Sequence, residues 1–243
     1  MRVDAAVRRK HMIVMPANST GRFWDPLARE TQLLGHLLSP KGKASPRPWF
    51  PYSLDNGAYS CWDKKHNQWS EVAWRDMELL WYGLLDWART NNQKPIWAIV
   101  PDVVGQCAAT IERYARYAPQ MADFTLAVAV QDGMTPQDVR GLNPIPSVIC
   151  VGGTTDWKRD TWKIWASEFP RVHVLRVNSP TWIYELDAAG IESCDGTGWN
   201  MGDKTQTKGL EAYCREFGHP TTQDLWPYVC SEKRKGSKQK SLF

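Results

Sequence analysis

Acidic residues follow several apolar segments of this chain, each at the point where the apolar run ends. Asp55 lies in YSLDNGAY, Asp102 in AIVPDVVG and Asp195 in ESCDGTGW. Two carboxyl groups that face one pocket can break a glycosidic bond, because one attacks the anomeric carbon while the other transfers protons. The pair needs two different environments, so that one carboxyl stays ionised as the nucleophile. The segments themselves do not assign these roles, and each Asp taken alone could instead cap a helix or close a turn.

Other polar or small residues end the remaining apolar segments. Gln131 offers one acceptor and two donors, which suits it to contact the edge of a nucleobase. Gly152 and Gly153 have no Cβ, so a ligand could approach the backbone there, although the pair could equally form a tight turn. If the segments are strands of one barrel, their ends meet on one face, and we expect a single pocket to collect Asp55, Asp102, Gln131, Asp132, Gly152, Gly153, Asn178 and Asp195.

Strand-like segments rich in Val and Ile alternate with helix-like segments along the chain. Strands are predicted at 11–17, 52–56, 95–104, 124–131, 147–153, 171–178 and 191–197. Helices are predicted at 68–91, 107–119, 135–141, 157–168, 180–189 and 206–217. An eighth strand is expected within 19–50 or after 218. This alternation predicts an α/β fold, a TIM-like (β/α)8 barrel in a single domain, with an open doubly wound sheet as the alternative.

The composition fits one folded domain. The chain has 243 residues, of which 42% are hydrophobic and 23% are charged, and such a balance argues against disorder. We assign residues 1–230 to the barrel domain and residues 231–243 to a basic tail. No apolar run reaches the ~18 residues of a membrane span, so no membrane association is expected. The six cysteines form no CxxC pair, which favours a reduced, cytoplasmic protein.

The net charge of +4 is concentrated in the tail, where five basic residues accompany one glutamate between Ser231 and Phe243. A basic tail suits contact with nucleic-acid phosphates, although a solvated terminus is the alternative.

No Walker A, GxGxxG, HExxH or GxSxG motif occurs, so none of these motifs indicates another chemistry. His173, inside the predicted strand RVHVLRV, is expected to be a buried or lining residue rather than a metal ligand.

Five motifs of this chain occur together, and in the same order, in one known family. They are Asp55-Asn56-Gly57-Ala58-Tyr59, Asp102 in IVPDVVG, Val130-Gln131-Asp132-Gly133, Val151-Gly152-Gly153, and Val177-Asn178-Ser179-Pro180 followed by a helix and Asp195. In these motifs, from about Met12 to about Asn200, the chain resembles the tRNA-guanine transglycosylase superfamily. It looks most similar to the compact members that act on DNA, the DNA-guanine transglycosylases of phages and of bacterial DNA-modification islands.

The resemblance implies a base exchange in which guanine in DNA is replaced by a 7-deazaguanine such as preQ0. It implies Asp195 as the nucleophile that bonds to C1′, and Asp55 as the general acid and base. It also implies that Tyr59 and Leu175 enclose the base. The further substrate contacts that it implies are Asp102, Gln131, the amides of Gly152 and Gly153, and Asn178. The implied enzyme is a pentosyltransferase of DNA modification and restriction evasion that uses no cofactor.

The chain also departs from the tRNA enzymes of that family. Those enzymes carry a zinc site after the barrel, whereas Cys214, His219 and Cys230 are not clustered here, so no zinc is expected. The tRNA enzymes are also much longer, and Gly196-Thr197-Gly198-Trp199-Asn200 replaces their usual Pro-Thr-Arg after the nucleophile. These departures favour DNA as the polymer. The alternatives are a compact tRNA-guanine transglycosylase, a non-catalytic subunit that binds modified nucleic acid, and a hydrolytic glycosidase or nuclease.

Binding to a DNA backbone needs cationic side chains. The candidates are Arg176, Lys158 and Arg159 near the predicted strand ends, the loop residues Lys41, Lys43 and Arg47, and the tail residues Lys233, Arg234 and Lys235. The expected partners are DNA and a free 7-deazaguanine base, in the cytoplasm of the cell or, for a phage protein, of the host. The sequence does not specify a partner protein.

Overall fold

Short strands and amphipathic helices alternate along the chain in the computed structural model, which describes residues 11–16, 24–42, 50–63, 65–66, 68–199 and 204–218. The strands are β1 (Ile13–Pro16), β2 (His36–Leu38), β3 (Tyr52–Leu54), β4 (Trp62–Asp63), β5 (Gln68–Trp69), β6 (Ala98–Ile99), β7 (Leu126–Val130), β8 (Val148–Val151), β9 (Val172–Val174) and β10 (Ser193–Gly196). The helices are α1 (Trp24–Thr31), α2 (Glu71–Thr90), α3 (Cys107–Tyr117), α4 (Pro136–Arg140), α5 (Thr155–Glu168), α6 (Pro180–Ala188) and α7 (Lys204–Phe217). The predicted tail, Lys43 and Arg47 lie outside the described residues.

Eight of the strands form one parallel sheet in the order β1-β10-β9-β8-β7-β6-β3-β2. The two ends of the sheet approach each other around Val14, whose N–H donates to Leu33 O at 2.9 Å and whose O accepts from Gly35 N–H at 2.9 Å. A parallel bridge between Val14 and Leu34 accompanies these bonds. The sheet is therefore a nearly closed barrel, and the predicted TIM-like (β/α)8 fold in a single domain is confirmed.

The elements near the start of the chain differ most from those predicted. The eighth strand does lie within 19–50, where β2 pairs in parallel with β3, but α1 before it is not among the predicted helices. The sequence also does not indicate the two-stranded antiparallel ribbon of β4 and β5. The helix predicted at 68–91 begins later, at Glu71, because the Ser70 side chain caps it by accepting from Ala73 N–H at 3.2 Å.

The strands turn alternate side chains inward and outward, and this alternation builds the barrel interior. In β7, Ala127 and Ala129 pack inside the barrel, whereas Leu126, Val128 and Val130 pack towards the helices. The apolar interior is a separate small cluster that contains Ile13, Met15, Leu37, Trp97, Ile99, Ala127, Ala129, Val148 and Cys150. The next inward positions lie at the carboxyl ends of the strands, so the alternation decides which side chains can meet a ligand there.

Large aromatic side chains join the helices to the outside of the barrel. On α2, Trp74 and Trp81 are buried, and both rings meet Tyr117 edge-on at centroid distances of 6.1 and 5.5 Å. Helix α7 follows the last strand and packs on α1 and α6.

The five cysteines in the described part of the chain are free. None of the helices described here is both long and apolar enough to cross a lipid bilayer.

A glycine of α7 tests the packing of this helix on α6, and an uncrowded glycine of α2 serves as the comparison. A Cβ at Gly209 of α7 would overlap Cβ and Cγ of Pro180, whereas a Cβ at Gly83 of α2 would meet nothing within 4 Å. We expect Gly209→Ala to destabilise the protein by about 1–3 kcal/mol through overpacking. We expect Gly83→Ala to stabilise it by about 0.5–1 kcal/mol through higher helix propensity. Urea unfolding measures both free energies, and effects of the same sign would contradict the contact.

Candidate active site

A cavity lies at the carboxyl ends of the barrel strands. Its volume of about 190 Å³ is many times the ~10–15 Å³ that one water needs, so it can hold an organic molecule. The predicted site residues that line it are Asp55, Tyr59, Asp102, Gln131, Gly152, Gly153, Leu175, Arg176 and Asp195. They come together because parallel strands of a barrel end on the same face.

The inward and outward alternation of each strand selects the residue that enters the cavity. Asp195 follows the buried Ser193 on the inner face of β10, and Gln131 follows Ala129 on the inner face of β7. Asp55 comes directly after β3, where its N–H donates to Leu38 O at 2.8 Å in the neighbouring strand. The polar lining is thus the uppermost inward layer of the barrel, above the apolar interior.

Asp195 is held through one of its two carboxylate oxygens. Its Oδ1 accepts from the backbone N–H of Arg176 at 2.9 Å and lies 3.2 Å from Nε2 of His173. No donor among the described residues binds Oδ2. The side chain is buried, yet it lines the cavity. A carboxylate with one oxygen anchored and the other unbound is suited to attack an electrophilic carbon.

His173 is buried inside the barrel, as the sequence predicts, but its partners depend on tertiary structure. Its Nδ1 lies 2.8 Å from Ser193 Oγ, and its ring packs edge-on against Trp97 at a centroid distance of 4.8 Å. Ser193, His173 and Asp195 therefore form a hydrogen-bonded chain. Ser193 is only 1% exposed and is not among the residues that line the cavity, so Asp195 is the member that can meet a ligand.

Asp55 differs from Asp195 in its electrostatic surroundings. Burial of the carboxyl, followed by the charges of Asp195 and Asp102, raises the pKa of Asp55 to about 7. Hydrogen bonds from the backbone N–H groups of Gly57 and Asn56 oppose this rise. A carboxyl whose pKa lies near neutrality can both give and take a proton at physiological pH. The two aspartates therefore have the different environments that a nucleophile and an acid/base require.

Asp102 is held by two side-chain amides. Asn56 Nδ2 donates to its Oδ1, and Gln131 Nε2 donates to its Oδ2, both at 2.6 Å. Burial raises the pKa of Asp102 to about 6, against the lowering effect of the Asn56 hydrogen bond. Gln131 Oε1 accepts from the N–H groups of Gly105 and Gly153. Gln131 thus helps to build the cavity wall, and only the remaining N–H of its amide can contact a base.

The backbone amides of Gly152 and Gly153 are already paired within the protein. Gly152 N–H donates to Val130 O at 3.0 Å, and Gly153 N–H donates to Gln131 Oε1 at 3.1 Å. Both residues line the cavity, but these amides are not free to read the edge of a base. Gly153 has a φ of 68°, which favours glycine, and a Cβ there would overlap Trp157. The pair therefore forms the tight turn that was the alternative.

Arg176 crosses the mouth of the cavity. Its guanidinium lies over the Tyr59 ring, 4.5 Å from the centroid, and also donates to Gly153 O. Its φ of 58° is a left-handed conformation that costs about 1–2 kcal/mol outside glycine, and this turn directs its N–H at Asp195. Tyr59 and Leu175 both line the cavity, as expected. Since Arg176 covers one face of the tyrosine ring, a base that stacks on that face must displace the guanidinium.

Two residues predicted to enter the pocket have other roles. Asn178 is not among the cavity-lining residues, because its Oδ1 accepts from Gly198 N–H at 2.9 Å in the loop after β10. Asp132 accepts from the N–H of Thr154 at 2.8 Å and from its hydroxyl at 2.5 Å, just before α5 begins. Both side chains bind donors of another segment, 22 residues along the chain for Asp132 and 20 for Asn178, which differs from the cap or local turn that was the alternative for Asp132.

The predicted cations near the mouth are not equivalent. Lys158 is buried, its Nζ donates to Leu175 O, and it lies 5.5 Å from the centroid of the Trp182 ring. Burial, followed by the charge of Arg176, lowers the pKa of Lys158 to about 7. Its predicted contact with DNA is wrong, because the amine is enclosed between the first turn of α5, α6 and the end of β9. Arg159 is exposed and stacks on Trp182 at 4.4 Å.

Four polar residues that line the cavity are not among the predicted site residues. They are Ser39, Asn56, Ser60 and Thr197. Asn56 is the most consequential, because it orders Asp102, donates to Val100 O at 3.0 Å and accepts from Ala58 N–H at 2.8 Å. Its position beside Asp55, in a polar segment after a strand, is the only local signal of this role.

Binding of a metal ion would require a group of suitable side chains close together. Among the residues that the structure describes, no group of three or more His, Cys, Asp or Glu side chains could hold a metal ion. His219, Cys230, Lys233, Arg234 and Lys235 lie outside those residues.

The sequence matches no protein-family model and no curated protein. The fold and the site together define a TIM-like barrel with a carboxylate-lined cavity at the face where enzymes of this fold carry their active sites.

The raised pKa of Asp55 makes the stability of the protein depend on pH. The unfolded chain ionises Asp55 above about pH 3.9, whereas the folded protein keeps this proton up to about pH 7. The free energy of unfolding therefore falls as the pH rises between these values. We expect Asp55→Asn to stabilise the protein by about 1–2 kcal/mol near pH 8, and to have little effect near pH 3.5, where both states are protonated.

Urea unfolding at the two pH values measures this difference. Asp160→Asn is the matched control, because it removes an exposed carboxyl on α5. A stabilisation by Asp55→Asn of equal size at both pH values would contradict the raised pKa.

Proposed function

We propose that the protein exchanges a guanine base in DNA for a 7-deazaguanine such as preQ0, through a covalent bond between Asp195 and C1′ of the nucleotide. The observation that carries this proposal is that Asp195 and Asp55 line one cavity but differ in their surroundings. Asp195 has one anchored and one unbound oxygen, and the pKa of Asp55 is raised to about 7. Exchange of a glycosidic bond needs this division between nucleophile and acid/base.

Two displacements at C1′ complete the proposed exchange. In the first, Oδ2 of Asp195 bonds to C1′ while the bond from C1′ to guanine breaks, and the departing base takes a proton from Asp55. In the second, the 7-deazaguanine gives a proton to Asp55, its nitrogen bonds to C1′, and the bond between C1′ and Asp195 breaks. Both aspartates return to their starting states. One glycosidic bond replaces another, so the reaction requires no external source of energy.

The polar lining favours a ligand that is rich in hydrogen-bond donors. Asp55, Asp102 and Asp195 all line the cavity, and each carboxyl oxygen has lone pairs for more than one hydrogen bond. Guanine carries adjacent N–H donors on one edge, and a 7-deazaguanine keeps that edge. The same lining therefore suits both the leaving and the entering base. Tyr59 and Leu175 supply apolar contact surface once the guanidinium of Arg176 moves aside.

The polymer must deliver its nucleotide to the mouth of the barrel. Flipping a base out of a duplex costs a few kcal/mol and brings C1′ within reach of a recessed pocket. Arg176, once displaced, and the exposed Arg159 are cations that can then contact phosphates. DNA is our choice over tRNA because Gly196-Thr197-Gly198-Trp199-Asn200 follows Asp195, where the tRNA enzymes that the chain resembles have Pro-Thr-Arg.

Base exchange in vitro is the direct test of the proposal. The protein is incubated with duplex DNA and preQ0, and the DNA is digested to nucleosides for mass spectrometry. We expect a 7-deazaguanine deoxynucleoside with the wild type and with the surface control Asp160→Asn. Asp195→Asn keeps the side-chain size but removes the attacking carboxylate, so we expect a rate at least ~10³-fold lower.

The other outcomes identify the alternatives. A normal rate with Asp195→Asn would refute its role as nucleophile. Incorporation into tRNA and not into DNA would indicate the compact tRNA enzyme. Release of guanine without incorporation would indicate a hydrolytic glycosidase, and binding without any reaction would indicate a non-catalytic subunit.

Removal of Ser231–Phe243 tests whether the tail binds DNA. The tail carries five basic residues, and cations that contact phosphates release counterions from DNA. We expect the truncated protein to bind DNA more weakly and with a smaller salt dependence. Fluorescence anisotropy at several salt concentrations measures both quantities, and an uncharged tail of equal length is the control. An unchanged salt slope would show that the tail is a solvated terminus.

A further inference from the structure

Two buried side chains lie behind the carboxylate of Asp195, on the inner face of the barrel. His173 of β9 is the register partner of Ser193 of β10, and Asp195 lies two residues further along β10 on the same face. The imidazole therefore lies between the two side chains, with Nδ1 at 2.8 Å from Ser193 Oγ and Nε2 at 3.2 Å from Asp195 Oδ1. Neither His173 nor Ser193 is among the residues that line the cavity, so neither can contact a ligand.

The direction of these hydrogen bonds follows from the groups involved. A carboxylate can only accept, so Nε2 of His173 carries the proton that points at Asp195. In the neutral imidazole Nδ1 is then an acceptor, and the Ser193 hydroxyl donates to it. The edge-on contact with Trp97 resists rotation of the ring. Each member of the chain thus has one complementary partner on either side.

We propose that His173 is a positioning residue for the nucleophile and that Ser193 supports its Nε2–H tautomer by donating to Nδ1. Together with the N–H of Arg176, His173 fixes Oδ1 of Asp195, so that Oδ2 is the oxygen presented to the cavity. Within the described residues, His173 is the only side chain that donates to Asp195. Its loss leaves the carboxylate with a single donor and free to rotate. The kinetic consequence rests on the exchange reaction proposed above, but the hydrogen-bonded chain can be observed without any reaction.

Two substitutions at His173 separate positioning from packing. His173→Gln keeps an N–H donor near the place of Nε2, whereas His173→Met fills a similar volume without a donor. We expect the Gln variant to lose less than about tenfold in kcat and the Met variant to lose about 10²-fold, the cost of a misplaced reacting group. KM for the base should not change in either variant. Equal losses of kcat in the Gln and Met variants would overturn the inference. If the ring were needed only for packing, the amide of Gln would restore no more activity than Met does.

Imidazole ¹⁵N NMR of the free protein is the second readout. The chain has five histidines, and the His173 signal is identified by its loss in His173→Gln. We expect a protonated Nε2 and an unprotonated Nδ1 in the wild type, the same tautomer with a shifted Nδ1 resonance in Ser193→Ala, and a shifted Nε2 resonance in Asp195→Asn. If the wild type exchanges no base, the proposed function fails and the NMR result alone decides the inference. A protonated Nδ1, or an Nε2 resonance insensitive to Asp195→Asn, would overturn it.

Discussion

Three carboxyl groups around one cavity repel one another, and burial strengthens the repulsion because little water screens it. The protein meets this constraint in two ways. Asp195 and Asp102 each accept two hydrogen bonds from protein donors. Asp55 also accepts from the backbone N–H groups of Gly57 and Asn56, yet it keeps a proton up to about pH 7, with burial as the first cause and the two neighbouring charges as the next. Burial and this repulsion together therefore supply a carboxyl that can exchange a proton at neutral pH.

Arg176 connects the mouth of the cavity to the carboxylate beneath it. Its N–H binds Asp195, while its guanidinium lies over Tyr59 and donates to Gly153 O. The left-handed backbone at this residue makes both sets of contacts possible from one position. A ring placed on this face of Tyr59 would therefore move a side chain whose own backbone N–H binds Asp195. Occupation of this face and placement of Asp195 are coupled through this one residue.

The alternation of apolar and polar residues predicts much of the site, since it depends only on local sequence. It places Asp55, Asp102, Gln131 and Asp195 at strand ends, and all four line the cavity. It does not reveal that Asn178, Asp132 and Lys158 turn elsewhere. Whether a polar side chain after a strand points inward depends on the donors and the space nearby, and these belong to other segments. The pairing of His173 with Asp195 has the same origin, because it follows from the register of two strands.

By itself, the sequence determined most of the succession of strands and helices, the α/β class, and the set of carboxyl groups at the strand ends, because the spacing of apolar residues is a local property. Only the tertiary structure decided how those carboxyl groups differ. Asp55 and Asp195 both follow apolar runs and are alike as sequence features. They become unlike because closure of the barrel places Asp55 where burial and the charges of Asp195 and Asp102 raise its pKa, and gives Asp195 a side-chain donor in His173. The pKa of a side chain depends on such distances through space, which local sequence does not contain.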